Sequence, residues 1–138
     1  MITAKIEERN HRLNDVIARQ NASPTTISLF EQIVNGIYDK LRTQGKPVFF
    51  TTHIGGVSGF CNSRKAFVFI DLGINHVRTH YWTGRGSIPG LRKANWLQGG
   101  DKSGSETIRI DNTAAIGKAV EFACAAYNIA VSEYGKSK

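Results

Sequence analysis

Apolar residues recur along this chain with two different periods, and the change of period divides it into elements. Between about Thr26 and Thr43, Leu29, Phe30, Ile33, Val34, Ile37 and Leu41 return at three- and four-residue steps. That spacing predicts a helix with one broad buried stripe. Ser28 and Glu31 have capping-box spacing at its start, and Gln44-Gly45 followed by Pro47 ends it. Gly36 in its middle costs roughly 1 kcal/mol relative to Ala and points to close packing against a sheet. Residues 3–21 carry a narrower stripe, Ile6, Leu13, Val16 and Ile17, which predicts an earlier helix broken at Asn21-Ala-Ser-Pro24. A closing helix follows Asp111 or Asn112, with Ile116, Ala119, Val120, Ala123, Tyr127 and Ala130 at helical spacing. Its alanines let a neighbour approach closely, and Glu133 to Lys138 reads as a frayed tail.

The middle of the chain has strand chemistry. Val48 to Ile54 is β-branched and aromatic, Ala66 to Leu72 is a near-continuous apolar run, Ile74 to Trp82 follows at hairpin distance, and Thr107 to Ile110 is the last strand. Gly55-Gly56 and Gly59 interrupt, so Val57 to Cys61 reads as a short continuation after a bulge or as part of a turn. The order α-α-β-β-β-β-α predicts an α+β fold. It is a two-layer sandwich: an antiparallel meander of about four strands with helices on one face. Period 2 puts Phe67 and Phe69 on one sheet face and Val68, Ile70 and Leu72 on the other. The helices are expected to cover the valine and isoleucine, leaving the phenylalanines to meet a loop or a second subunit.

The chain has 138 residues, with 41% hydrophobic and 21% charged, which fits one globular domain: a helical extension over 1–25, a core over 26–132 and the tail. No apolar run reaches 18 residues and the N-terminal segment lacks an apolar stretch, so neither a membrane span nor a signal peptide is expected. Cys61 and Cys124, without C-x-x-C spacing, read as reduced thiols of a cytoplasmic protein. The net charge is +7, of which +4 falls within residues 74–110, so an anionic partner is favoured.

Four features carry a resemblance over Leu29 to Ala130. They are the strand Phe67 to Leu72, the Pro89-Gly90-Leu91 turn, Gly99-Gly100-Asp101 running into Glu106 to Ile110, and Ala125-Ala126-Tyr127. In these the chain resembles an uncharacterised bacterial domain of unknown function labelled a predicted transport protein, a domain often appended to nuclease or restriction-associated proteins. The Gly-His-Trp-Gly form common in that family stands here as Gln98-Gly99-Gly100. The resemblance implies a helix, a small antiparallel sheet and a closing helix, and no agreed activity.

Thr83 to Gly104 combines Arg85, Arg92, Lys93 and Lys102 with Trp96, with Trp82 at its base and six glycines between. Phosphate recognition uses guanidinium forks and close backbone amides, and base recognition uses flat aromatic faces. With Arg78 and Arg109 on the flanking strands, these eight residues form the candidate ligand site: Arg78, Trp82, Arg85, Arg92, Lys93, Trp96, Lys102 and Arg109. His76, Arg78, His80 and Trp82 alternate on one strand, but two histidines four apart are separated by roughly 13 Å and cannot share a metal ion. Asp101, Glu106 and Lys102 are the best set for a metal-dependent nuclease, with Glu106 and Asp111 read as structural. No nucleotide-binding glycine fingerprint and no catalytic triad spacing occur, so no catalytic residue, metal or cofactor is expected. The reading is a binding module for nucleic acid or a nucleotide-like anion. The alternatives are an interaction domain of a defence or DNA-processing assembly and a divergent nuclease. The narrow first helix and the Ala-rich last one favour a homodimer or higher oligomer.

Overall fold

The computed structural model describes residues 1–61, 65–84, 87–93 and 105–134. The fold is α+β in two layers. Its elements are β1 (Ile6–Glu7), α1 (Leu13–Gln20), α2 (Pro24–Thr43), β2 (Phe49–His53), β3 (Gly56–Phe60), β4 (Ala66–Leu72), β5 (Val77–Trp82), β6 (Arg92–Lys93), β7 (Ser105–Ile110), a 3-10 turn (Thr113–Ala115) and α3 (Ile116–Tyr134). One sheet has the order β1-β2-β3-β4-β5-β7-β6. From β2 to β5 it is the expected antiparallel meander. At its edges it departs from a meander: β1 pairs parallel with β2, and β6 lies outside β7.

α2 forms where the periodicity places it, but it starts earlier than the Ser28–Glu31 spacing suggests. Ser23 caps it, accepting from the Thr26 N–H at 3.2 Å, and Pro24 fills the first turn where a missing N–H costs nothing. Ser28 instead sits inside the helix and accepts from Gln32. Gly45, at φ +72°, supplies the left-handed residue after the helix. The first helix is shorter than expected: only Leu13–Gln20 is helical. Residues before it run along the sheet edge, where Lys5 C=O accepts from Phe50 N–H and Asn35 of α2 takes the Thr3 and Ala4 amides. A two-residue edge strand is too short to carry a period, and its Ile6 falls in phase with the helical stripe that follows.

All three helices pack on one sheet face. α3 presents Ala119, Ala123, Ala126 and Ala130, all fully buried. It lies close enough to α2 that a Cβ at Gly36 would meet Val120 at 2.9 Å. Gly36 therefore serves helix–helix contact, not contact with the sheet. Tyr81 of β5 reaches across to donate its hydroxyl to Ala119 C=O at 3.2 Å, and Tyr127 does the same to Pro47 C=O at 2.7 Å. α3 with its 3-10 lead-in is apolar and long enough to cross a membrane by length and composition. In this fold it is the helix that closes the core.

Val68 and Ile70 are fully buried under the helices, as the alternation predicts. Phe67 is not on the opposite face. Gly59 pairs with Val68 but Phe60 pairs with Ala66, so Phe67 is an extra residue in a bulge. The bulge turns its ring to the helix side, edge-to-face with Tyr127 at 5.1 Å. Phe69 alone of the two stays on the open face. The glycine-rich β3 is a full strand between β2 and β4, neither a bulged continuation nor a turn.

A Cβ at Gly56 would collide with the Ile70 carbonyl oxygen on β4, whereas one at Gly117 of α3 meets nothing within 4 Å. Gly56→Ala is expected to destabilise the protein by about 1–3 kcal/mol. Gly117→Ala is expected to stabilise it by up to about 1 kcal/mol. Thermal unfolding followed by circular dichroism checks the opposite signs.

Candidate functional site

The open face is built from the residues that alternate with the buried ones. On β2 these are Phe49, Thr51 and His53; on β3, Ser58 and Phe60; on β4, Phe69 and Asp71; on β5, Arg78, His80 and Trp82; on β7, Thr107 and Arg109. No described helix packs on this side. Side chains here contact one another across the strands, and two groupings result.

The first is centred on Asp71. His53 of β2 and Asp71 of β4 both pair with Gly56 on the strand between them. His53 reaches over β3 and its Nε2–H donates to Asp71 Oδ1 at 2.5 Å; Gly55 leaves room for this contact, since a Cβ there would stand 3.1 Å from Asp71 Oδ1 and 3.9 Å from His53 Nε2. Nδ1 of the same ring shares a hydrogen bond with the Ser58 hydroxyl at 2.8 Å. On the other side, His80 Nε2 approaches Asp71 Oδ2 to 3.3 Å, and His80 is only 2% exposed. Partial burial by itself would raise the Asp71 pKa. The hydrogen bond from His53, the contact with His80 and the charges of both rings outweigh burial and hold the carboxyl at about 2.

This chain of groups ties four strands together. Among the described residues, no three His, Cys, Asp or Glu side chains are arranged to hold a metal ion. The geometry explains why for this cluster: the imidazoles take different oxygens of one carboxylate and so do not share a point of convergence. Ser58, His53 and Asp71 have the connectivity of a nucleophile, base and orienting acid. β3 is paired on both edges, however, so its amides are committed to the ladder rather than available to a developing oxyanion.

The second grouping is basic. Arg78 of β5 and Arg109 of β7 pair directly across the strands, side chains on the same face. Asp71 is the cross-strand neighbour of Arg78 on the other side. Its two oxygens are already engaged by the histidines, and neither guanidinium has an ion-pair partner among the described residues. His76 adjoins them. Burial, then the positive charges of Arg109 and Arg78, push its pKa below the usual imidazole value, with Asp111 opposing. A cleft of about 480 Å³ opens here, lined by Arg78, Gly90, Thr107, Ile108 and Arg109.

No family model, curated protein or solved structure matches the chain. The candidate residues therefore stand on their own placement. Arg78 and Arg109 come together. Trp82 lies on the same face, with the Lys65 ammonium 3.2 Å from its ring centroid. Arg92 and Lys93 form β6, whose backbone pairs with Thr107 and Glu106. Arg85, Trp96 and Lys102 lie outside the described residues, as does Asp101 of the nuclease set. The segment expected to be loop is in part a built structure. Ile88 is buried, and Leu91 N–H closes a Pro89-Gly90 turn on Ile88 C=O at 3.2 Å with Gly90 at φ +98°. Gly90 abuts Phe122 of α3. Cys61 and Cys124 are unbridged, as expected, and burial raises both thiol pKa values.

Nothing in the linear sequence brings His53, Ser58 and Asp71 together. His53 and Asp71 do stand out of phase with the buried positions of their strands. The strand register that unites them across Gly56 has no counterpart in a linear reading.

Because the folded pKa of Asp71 lies below the ordinary carboxylate value near 4, its contribution to stability is present above about pH 4 and is lost as pH falls through about 2. A carbon-detected carboxyl titration should place its midpoint near 2. Urea unfolding of Asp71→Asn should show a flatter dependence on pH over that window. A midpoint at the ordinary value, with unchanged slope in the variant, would contradict the network.

Proposed function

We propose that the protein is a non-catalytic binding module, cytoplasmic in setting, for a nucleic acid or nucleotide-like anion, with Arg78 and Arg109 as its phosphate contacts. The observation that carries this reading is the cross-strand arginine pair. Like charges directly opposite one another on neighbouring strands are destabilising. Here the cross-strand carboxylate of Arg78, Asp71, is held by His53 and His80, and neither arginine has an ion-pair partner among the described residues. An oxyanion between the two guanidinium forks removes the repulsion and gains charge-assisted hydrogen bonds. The adjoining cleft has room for more than a bare phosphate, and the net charge of +7 favours encounter with a polyanion.

The test is fluorescence anisotropy with a labelled oligonucleotide at salt concentrations between about 50 and 200 mM. Affinity should fall steeply with salt. The Arg78→Ala/Arg109→Ala double variant should bind more weakly, with a salt slope shallower by about 1–2. Lys118→Ala, an exposed change on α3 away from the open face, should behave as the parent does. Absence of binding at low salt, or an unaltered slope in the double variant, would sink the assignment.

A further inference from the structure

The open face carries a second feature that charge does not explain. Phe49, Phe60 and Phe69 are each half-buried on it, with no described helix above them. Phe49 and Phe60 stack at 5.3 Å and 8°. Phe69 meets His53 only edge-on, 6.3 Å away at 62°, so the contact does not cover its flat face. Their order across the sheet is regular. Asp71 pairs with Arg78, so Phe69 is the diagonal neighbour of Arg78. Ser58 pairs with Phe69, so Phe60 is the diagonal neighbour of Phe69, and Phe49 lies directly opposite Phe60. Diagonal neighbours stand roughly 7–8 Å apart, a step that a nucleotide spans between its phosphate and its base.

We infer that the ligand is a single strand of nucleic acid crossing the open face diagonally, phosphate at Arg78 and Arg109, with successive bases on Phe69 and on the Phe60–Phe49 pair. The inference rests on the reading of the two arginines as phosphate contacts and adds the class of ligand. Three aromatic side chains in a line ask for more than one base, which a mononucleotide does not supply. A duplex keeps its bases stacked on one another and offers none to a flat sheet. The charges set the polarity of the strand across the sheet. Asp71, between Phe69 and the arginines, repels phosphate from β4, so the backbone passes on the β5–β7 side and the bases turn inward. At the far end the Lys65 ammonium over Trp82 places a cation beside Ala66, the cross-strand partner of Phe60.

The experiment compares three probes at one salt concentration: a single-stranded oligothymidine of about ten nucleotides, a duplex of the same length, and inorganic polyphosphate of matched charge. The single strand should bind about tenfold or more tightly than either of the others. Phe69→Leu keeps apolar volume but removes the ring. It should weaken the single strand about tenfold, leave polyphosphate unchanged and retain the parent's unfolding midpoint within a few degrees. Phe69→Trp should restore single-strand binding. Equal affinity for all three probes, with Phe69→Leu altering none, would overturn this inference and leave the arginine contacts standing. Preference for the duplex would overturn it also. Loss of all polyanion binding would remove both readings. A concentration-dependent dimer that Phe69→Leu dissociates, in a protein that binds no oligonucleotide, would show the aromatic line to be a subunit interface and overturn it.

Discussion

The carboxylate of Asp71 is where the open face is held together. It bonds to a histidine on β2 and faces another on β5, while the β2 histidine takes a serine on β3, so one short polar chain spans four strands. The arrangement needs Gly56. A Cβ at Gly56 would run into the Ile70 carbonyl and push β3 from β4, and one at Gly55 would press on the Asp71 carboxylate beside His53. Partly buried polar groups are costly when unpaired and specific when paired. Here the pairing fixes β2, β3, β4 and β5 in one register. It also commits the carboxylate directly across from Arg78, and that has consequences further along the sheet.

The other face takes up the described helices. The helices are joined to one side by contacts between the layers: Tyr81 to Ala119, Tyr127 to Pro47, and Phe67 turned by a bulge towards Tyr127. Small residues at 119, 123, 126 and 130 let α3 sit close to the sheet, and Gly36 lets α2 sit close to α3. A layer packed this tightly takes up all three helices. The described segment around Pro89-Gly90 also goes to α3, with Ile88 buried and Gly90 against Phe122. The aromatic, histidine and arginine positions of the sheet therefore have no described helix to cover them.

Much of this architecture can be read in the sequence where a period runs long enough. The stripe from Leu29 to Leu41 and the run from Val68 to Leu72 identify a core helix and a core strand, because burial on one side leaves a repeating mark. The mark fails in three places for physical reasons. Ile6 belongs to an edge strand too short to alternate. Gly56 and Gly59 resemble turn residues, although in β3 they allow close approach of Ile70, Val68 and Phe50. Phe67 sits in a bulge, and one inserted residue reverses the face that alternation assigns. Of the site, Arg78 and Arg109 could be named from charge and strand position. Their direct opposition could not, nor could the union of His53, Asp71 and His80, because register is a property of strand pairing and not of any one strand.

That opposition is where the local rules of a stable sheet are broken. A cross-strand pair is usually stabilised by unlike charges or by apolar contact, and a sequence that specifies its fold satisfies such preferences at almost every position. Phe49 with Phe60 obeys the rule, as does Thr107 Oγ1 donating to Thr79 C=O at 2.8 Å. Arg78 with Arg109 does not, and His76 beside them adds a ring whose protonation they oppose. Substitution of either arginine by threonine or valine would suit the strand better. A conflict of this kind, next to a carboxylate that is tied down, is what the proposed anionic ligand would relieve. Asp71 would keep such a ligand's charge on the β5–β7 side of β4. The sheet thus sets one engaged carboxylate on β4 beside an arginine pair on β5 and β7, and the proposed ligand, with one charged edge and one flat apolar edge, would match the arginines and the aromatic line together.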